Sequence, residues 1–175
     1  SHAAVAVSPS ILELLSKSEV EAVIAHELTH IKNKDILVAT IAATIASAIT
    51  FLARMAQFAA WAGMGRDRDD RDGGNPIALL ALVILAPIAA ILIQLGISRT
   101  REYMADEGAG RITNKPASLA SALQKISAYA ERRPIENASP TTVHLFIVNP
   151  MKESFIVNLF STHPTLQRRI KNLKK

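Results

Sequence analysis

The sequence contains no cysteine among its 175 residues. A disulfide framework and a cysteine-ligated zinc site are therefore excluded, and any bound metal must be held by histidine and carboxylate side chains. Charged residues are also few, at 20%, whereas apolar residues make up 49% of the chain. This composition excludes an intrinsically disordered protein, because such chains are poor in apolar residues and rich in charge.

The excess of positive charge is small. The chain has 20 Lys and Arg residues against 15 Asp and Glu, which gives a formal net charge of +5. A mild excess over a chain of this length does not predict a nucleic-acid partner. The length fits one ordinary domain, or a small domain with membrane segments.

Two long blocks without charge contain much of the apolar excess. Residues 36–62 have no charged side chain before Arg54, and residues 77–97 have none at all. At about 1.5 Å per helical residue, each block can cross a hydrocarbon core about 30 Å thick. The alternative is a buried helical hairpin in a globular core, but so small a domain has little protein with which to surround two such helices.

The polar segment 63–76 between the blocks predicts a solvated loop that joins two membrane-spanning helices as a hairpin. A hairpin returns the chain to the side of the membrane that it left, so residues 1–35 and 98–175 should share one side. Three arginines lie in the loop, against five basic residues that flank the blocks on the other side. The positive-inside rule therefore predicts that the larger part is cytoplasmic. The flanking residues are Lys32, Lys34, Arg99, Arg101 and Arg111.

The rest of the chain is predicted to be mainly helical with a small β element, an α+β fold. Short apolar or β-branched runs at 3–7 and 143–148 are candidate strands. A short helix is expected after Ser8-Pro9, and a second one after a capping box of Ser18 and Glu21, as far as about Asp35. Three more helices are expected over 98–108, from Pro116 and from Pro164. The predicted organisation is one domain in two parts, 1–35 and 98–175, interrupted by the hairpin 36–97.

The main chemical signal is His26-Glu27-Leu28-Thr29-His30. Residues four apart lie on the same face of a helix, so both imidazoles can reach one zinc ion at about 2.0–2.1 Å. Glu27 lies beside them and can take a proton from a zinc-bound water. The alternative is a solvated helix face with no metal.

A catalytic zinc site usually has a third protein ligand and leaves the fourth position to water. The remaining histidines are His2, His144 and His163, and a second helix offers Glu102, Asp106 and Glu107. Glu102 and Asp106 are four apart, so one could bind zinc while the other accepts a hydrogen bond from a ligating imidazole. The alternative is a charged helix next to the membrane, with incidental carboxylates.

In motif order, residues 26–35, 98–106 and 159–164 resemble the HtpX heat-shock membrane metallopeptidases, relatives of the CAAX prenyl proteases. The many extra spans of the prenyl proteases have no room in this chain. The resemblance implies that Glu102 is the third zinc ligand and that Asp106 is the partner of a zinc-bound histidine. It also implies that His163 stabilises the oxyanion with Arg169 in support, and that two further spans precede residue 1.

The function predicted from the residues and the resemblance is that of a zinc-dependent endopeptidase with one Zn²⁺ per chain, in which Glu27 is the general base. Its partners would be protein or peptide substrates and the lipid bilayer. The resemblance implies that the substrates are misfolded or damaged proteins, in particular membrane proteins. It would be an integral protein of the cell (inner) membrane with a cytoplasmic active site. Two rival hypotheses are a non-catalytic membrane interaction module with a structural or absent zinc site, and a soluble zinc peptidase.

Overall fold

The computed structural model describes residues 3–63, 76–132 and 164–174. The described part is helical, with connecting turns. Its helices, in chain order, are α1 (Pro9–Leu14), α2 (Lys17–Lys32), α3 (Asp35–Gly63), α4 (Pro76–Thr113), α5 (Pro116–Arg132) and α6 (Leu166–Leu173).

The chain divides into two compact units. One unit consists of Ser1–Ile36 and Ser98–Lys175, and the other of Leu37–Ile97. The first unit includes α1, α2, α5, α6 and the last part of α4, and the second includes most of α3 and the apolar part of α4.

The core of the first unit forms around α5, which packs against α1, α2 and α6. Leu119 and Leu123 lie one turn apart on α5 and are completely buried. Small residues, among them Ala22 on α2 and Ala109 on α4, fill the same core. Because alanine adds little bulk, the helix backbones that carry the polar residues described below can approach closely.

Helix α2 begins two residues earlier than the sequence predicts. Its N-cap is Ser16, whose backbone N–H donates a hydrogen bond to Glu19 Oε2 at 2.7 Å. The predicted pair, Ser18 and Glu21, has the same spacing but lies inside the helix, where Glu21 is exposed. The earlier pair forms the cap because Glu19 is buried and has further partners on α5.

Two helices are long and apolar enough to cross a membrane by length and composition, over Asp35–Ala59 and Ile77–Thr113, and the larger part of each lies in the second unit. They contact each other where Gln94 Nε2 donates to the Ala42 carbonyl at 3.5 Å. Only 11% and 6% of their most apolar stretches are buried in the structure. A soluble core hairpin would instead be mostly covered by protein. Helix α4 continues through Pro87, which membrane helices tolerate.

Other boundaries agree with the sequence prediction to within a few residues. Helix α1 is capped by Ser8 with Pro9 at its first position, α5 begins at Pro116, and the predicted helix 98–108 is the end of α4. The last helix begins at Leu166 after an N-cap at Thr165, two residues beyond the predicted start. The described residues contain no strand, so the small β element is unconfirmed, and its second candidate, 143–148, lies outside them.

Candidate metal centre

His26 and His30 project from the same face of α2, one helical turn apart, as their spacing predicts. Their Nε2 atoms lie 3.1 Å apart, with the two rings in an edge-to-face arrangement. His26 is almost completely buried, with 1% of its surface exposed, whereas the His30 side chain is 20% exposed. The Nε2 atoms of the two rings therefore point at the same spot beside α2.

Glu102 reaches the same spot from α4. Its Oε1 lies 3.6 Å from His30 Nε2, and its Oε2 lies 3.7 Å from His26 Nε2. One ligand atom from each of the three residues lies within 4.8 Å of the other two. Glu102 is buried, which places a carboxylate where an unpaired charge would be costly.

This donor set fits a zinc ion. Zinc bonds of about 2.0–2.1 Å at tetrahedral angles place neighbouring ligand atoms about 3.3–3.4 Å apart, close to the separations observed here. Two imidazoles and one carboxylate also form a known catalytic ligand set that leaves one position open. If both rings carry their proton on Nδ1, two Nε2 lone pairs face each other across 3.1 Å, an arrangement that a cation stabilises.

The far side of the His26 ring faces a buried ion pair. His26 Nδ1 lies 3.1 Å from Asp106 Oδ1, one turn beyond Glu102 on α4. Arg169, from α6, donates two hydrogen bonds to the same carboxylate, from Nε to Oδ2 at 2.8 Å and from Nη2 to Oδ1 at 2.6 Å. Its Nη1 lies 3.2 Å from Glu102 Oε2.

Arg169 is one of the largest buried side chains of the described residues, with 2% of its surface exposed. Burial by itself would lower the pKa of Arg169, but the hydrogen bonds to Asp106 and the negative charges of Asp106, Glu102 and Glu27 raise it. The guanidinium therefore stays positively charged between the carboxylates that surround the two histidines, and α6 supplies this charge from the far end of the chain.

The far side of the His30 ring faces Asp35, which the sequence prediction treats as a helix boundary and as the last residue of the resembling segment 26–35, without a role in the site. His30 Nδ1 lies 2.5 Å from Asp35 Oδ2, within hydrogen-bonding distance. Lys34, in the turn between α2 and α3, adopts a left-handed conformation with φ of 55°. A turn of two residues thus places the first residue of α3 beside His30. An acidic residue five positions after the motif, just past a helix end, is the only signal that could have indicated it.

Of the other predicted site residues, some lie near the three candidate ligands, one lies at the surface and three lie outside the described residues. Glu27 lies next to His26 on α2, is partly buried, and is close enough for its charge to act on Arg169. Glu107, one of the three carboxylates considered for zinc, is instead exposed and paired with Arg111 at 2.6 Å. His163, together with the other candidates His2 and His144, lies outside the described residues.

A glycine sets the distance between the helices that carry the candidate ligands. A Cβ atom on Gly108 of α4 would lie 2.7 Å from Thr29 Oγ1 of α2, and closer still to Thr29 Cγ2. Thr29 is itself buried, and its hydroxyl donates to the Ala25 carbonyl at 2.8 Å. The missing side chain therefore permits the close approach that brings Glu102 to His26 and His30.

Comparison with known proteins identifies related sequences over the whole chain. The family model described as Peptidase family M48 matches residues 1–175. A protein named "Protease HtpX homolog" from Pyrococcus furiosus is 52% identical over 174 residues, and its namesake from Thermococcus kodakarensis is 53% identical over 175. A third, from Nostoc sp., is 52% identical over 174 residues.

Each alignment covers 99% of this chain and 60% of the relative, so the chain spans about three fifths of the length of these relatives. No solved structure gives a significant match. The resemblance to the HtpX peptidases predicted from residues 26–35, 98–106 and 159–164 is confirmed, and the chain belongs to peptidase family M48.

Proposed function

We propose that the protein is a membrane-bound, zinc-dependent endopeptidase whose zinc is held by His26, His30 and Glu102. The observation that carries the proposal is the convergence of two imidazole nitrogens and one carboxylate, in a chain that belongs to a peptidase family. One zinc per chain is expected.

Zinc bound at this centre supplies Lewis acidity, which polarises the scissile carbonyl and makes a water molecule easier to deprotonate. The chain would contribute the three ligating side chains His26, His30 and Glu102 and would leave the centre accessible to water. His30 is the more exposed of the two histidines, so access to the centre is expected from its side rather than from the buried His26 side.

Glu27 is proposed to act as the general base. It follows His26 directly on α2 and is only partly buried, so its carboxylate can approach a water molecule at the centre. It takes a proton from the water that attacks the peptide carbonyl, and passes that proton to the departing amide nitrogen. Attack forms the new C–O bond, and collapse of the tetrahedral species breaks the C–N bond.

Arg169 supports this arrangement by holding Asp106 and Glu102 with direct contacts. Asp106 faces the Nδ1 of His26, and we propose that it fixes the ring with Nδ1 protonated and Nε2 free to bind metal. His163 is proposed to stabilise the oxyanion of the tetrahedral intermediate, a role that comes from the family resemblance alone.

Substrates are proposed to be proteins or peptides, in particular misfolded or damaged membrane proteins, as part of quality control during stress. The membrane setting is supported by two long apolar helices with little of their surface covered. The catalytic part is proposed to lie on the cytoplasmic side of the cell (inner) membrane. More basic residues flank the two helices on the side of 1–35 and 98–175 than lie in the loop 63–76, and the side richer in basic residues is usually cytoplasmic.

The proposal is tested by metal analysis and casein cleavage on wild type, Glu27→Gln and Glu21→Gln. Glu21 is an exposed glutamate on the same helix, so its variant controls for loss of one charge from α2. Wild type and both variants should contain one zinc per chain. Cleavage should be lost in Glu27→Gln alone, because the amide cannot take the proton.

Two results would contradict the proposal. Cleavage that persists in Glu27→Gln would remove Glu27 from the mechanism. Zinc bound in wild type with no proteolysis, whichever residue stands at position 27, would favour a non-catalytic membrane module with a structural metal site.

A further inference from the structure

We propose that Asp35 is a positioning residue for His30. We call each set of a histidine, the aspartate at its Nδ1 and the arginine that contacts this aspartate an arm of the metal centre. His30, Asp35 and Arg101 then form one arm, and His26, Asp106 and Arg169 form the other. The inference rests on the proposed function, in that the centre is taken to bind zinc. It assigns a role to a residue that lies outside the His26–His30 motif and on a different helix.

The first argument is the contact with His30. Asp35 Oδ2 lies 2.5 Å from His30 Nδ1, while His30 Nε2 lies on the opposite side of the ring and points toward His26 and Glu102. A carboxylate can only accept a hydrogen bond, so this contact places the ring proton on Nδ1. The Nε2 lone pair is then left free for a metal ion, which is the tautomer that a ligand at this position requires.

The second argument is that Asp35 is itself held in place. Arg101 Nη1 donates to the Asp35 carbonyl oxygen at 3.1 Å, and Arg101 Nε lies 3.8 Å from Asp35 Oδ2. Arg101 directly precedes Glu102 in α4. The same turn of α4 therefore carries the candidate ligand Glu102 and the cation Arg101, which contacts the hydrogen-bond partner of His30.

The third argument is the correspondence between the two arms. In each, the Nδ1 of a histidine faces an aspartate, and an arginine contacts that aspartate. The arm behind His26 is buried, whereas His30 is partly exposed. A partly exposed imidazole has more freedom to rotate than one packed in the core, so it depends more on a hydrogen bond to hold its orientation.

Zinc affinity, measured by chelator competition on the detergent-solubilised protein, tests the inference without any use of proteolysis. The Asp35→Ala variant should bind zinc about 10–100-fold more weakly, which is the usual effect of losing the partner of a ligating histidine. The Asp35→Asn variant should lose less, because its amide oxygen can still accept from Nδ1–H. Glu107→Ala, which removes an exposed carboxylate from α4, is the control and should bind zinc as wild type does.

A second measurement reads the His30 ring directly and does not require metal. In wild type, the nitrogen chemical shifts of His30 should indicate a protonated Nδ1 and a bare Nε2, and this preference should weaken in Asp35→Ala. Wild-type zinc affinity in Asp35→Ala, or a His30 ring protonated on Nε2 in wild type, would overturn the inference. If Asp35→Ala does not fold, the position of the ring proton on His30 in wild type decides.

The failure of this inference can be told apart from the failure of the proposed function. A wild-type protein that binds no zinc, or that cleaves casein without Glu27, would overturn the proposed function. Unchanged zinc affinity in the Asp35 variants of a protein that binds zinc would overturn only the role of Asp35.

Discussion

At the scale of single residues, the candidate centre depends on how its buried charges are balanced. Glu102 and Asp106 lie one turn apart on α4 and are both buried, and Arg169 contacts both of them. Removing one partner from a buried ionic cluster is costly, because it leaves an uncompensated charge away from water. Arg169 is therefore expected to matter for stability, even before any metal is bound.

Two adjacent arginines on α6 allow a matched test of this expectation. The Arg169→Met variant should lower the free energy of unfolding by about 3–5 kcal/mol, since it leaves two carboxylates without their cation. The Arg168→Met variant removes the same charge from an exposed position and should change stability by less than about 0.5 kcal/mol. Denaturant unfolding of metal-free protein in detergent measures both, and equal stability of the two variants would contradict the role given to Arg169.

The residues of the site differ in how far the sequence could predict them. The proximity of His26 to His30 follows from helical spacing alone, and so does the shared face of Glu102 and Asp106. Asp35 could not be predicted in the same way, because its position depends on the left-handed turn at Lys34 and on two helices meeting there. The roles of the predicted ligands and of His163 stay predictions.

At the scale of helices, the contact between α2 and α4 controls the centre, because α2 carries the two histidines and α4 carries Glu102. Gly108 permits this contact at Thr29. Gly110 lies on the same helix, but a Cβ there would meet only Pro116, at 3.4 Å from its Cβ and 3.9 Å from its Cα. The two glycines thus separate the effect of helix propensity from the effect of helix spacing.

The Gly108→Ala variant should be destabilised and should bind zinc more weakly than wild type. Alanine gains up to about 1 kcal/mol of helix propensity, but overpacking costs about 1–3 kcal/mol and moves α4 away from α2. The Gly110→Ala variant should be as stable as wild type or more so, with unchanged zinc affinity. Thermal unfolding and chelator competition measure both effects, and a Gly108→Ala protein with wild-type zinc affinity would contradict this account of the spacing.

The start of α2 is joined to α5 by another buried carboxylate, Glu19. Glu19 Oε1 accepts from Ser121 Oγ at 2.6 Å, and Glu19 Oε2 accepts from Lys125 Nζ at 2.8 Å and from the Ser16 backbone. Burial by itself would raise the pKa of Glu19, but the bonds from Lys125, Ser121 and Ser16 lower it from 4.5 to about 2.

This lowered pKa predicts how stability depends on pH. A carboxyl group with a lower pKa in the folded state contributes stability that is fully present above its unfolded pKa and is lost as the pH falls through the folded pKa. The difference in unfolding free energy between wild type and Glu19→Gln should therefore be largest at neutral pH and shrink between pH 4.5 and about 2. Denaturant unfolding at several pH values measures it, with the exposed Glu21→Gln as control. A difference that stays constant over that window would contradict the assignment.

The helices themselves were largely predictable, because their signals are local. Prolines and a serine cap predict the starts of α1 and α5, and unbroken apolar runs predict α3 and α4. The capping box of α2 was placed two residues late, because two Ser/Glu pairs with the same spacing overlap. The choice between them depends on contacts from Glu19 to α5, which are distant in sequence.

At the scale of the whole molecule, the most unusual feature is the amount of apolar surface left uncovered on α3 and α4. Large side chains along both helices are more than half exposed, among them Phe51, Phe58, Ile84 and Leu85. A surface of this kind is not stable in water, and a lipid environment covers it without any further protein. The sequence predicts these two helices from their lack of charge, whereas the side of the membrane remains a prediction.

Single-cysteine labelling tests the membrane arrangement, because the 175 residues contain no thiol of their own. Lys17→Cys and Lys115→Cys lie at exposed positions before and after the two apolar helices, and Ile45→Cys and Ile84→Cys lie at exposed positions within them. In intact membranes, a water-soluble maleimide should label the first two from the same, cytoplasmic side, since a hairpin returns the chain to the side it left. The other two should stay unlabelled until detergent dissolves the bilayer, because lipid rather than protein covers them. Rapid labelling of Ile84→Cys in intact membranes would place α4 outside the lipid, and labelling of Lys17→Cys and Lys115→Cys from opposite sides would exclude the hairpin.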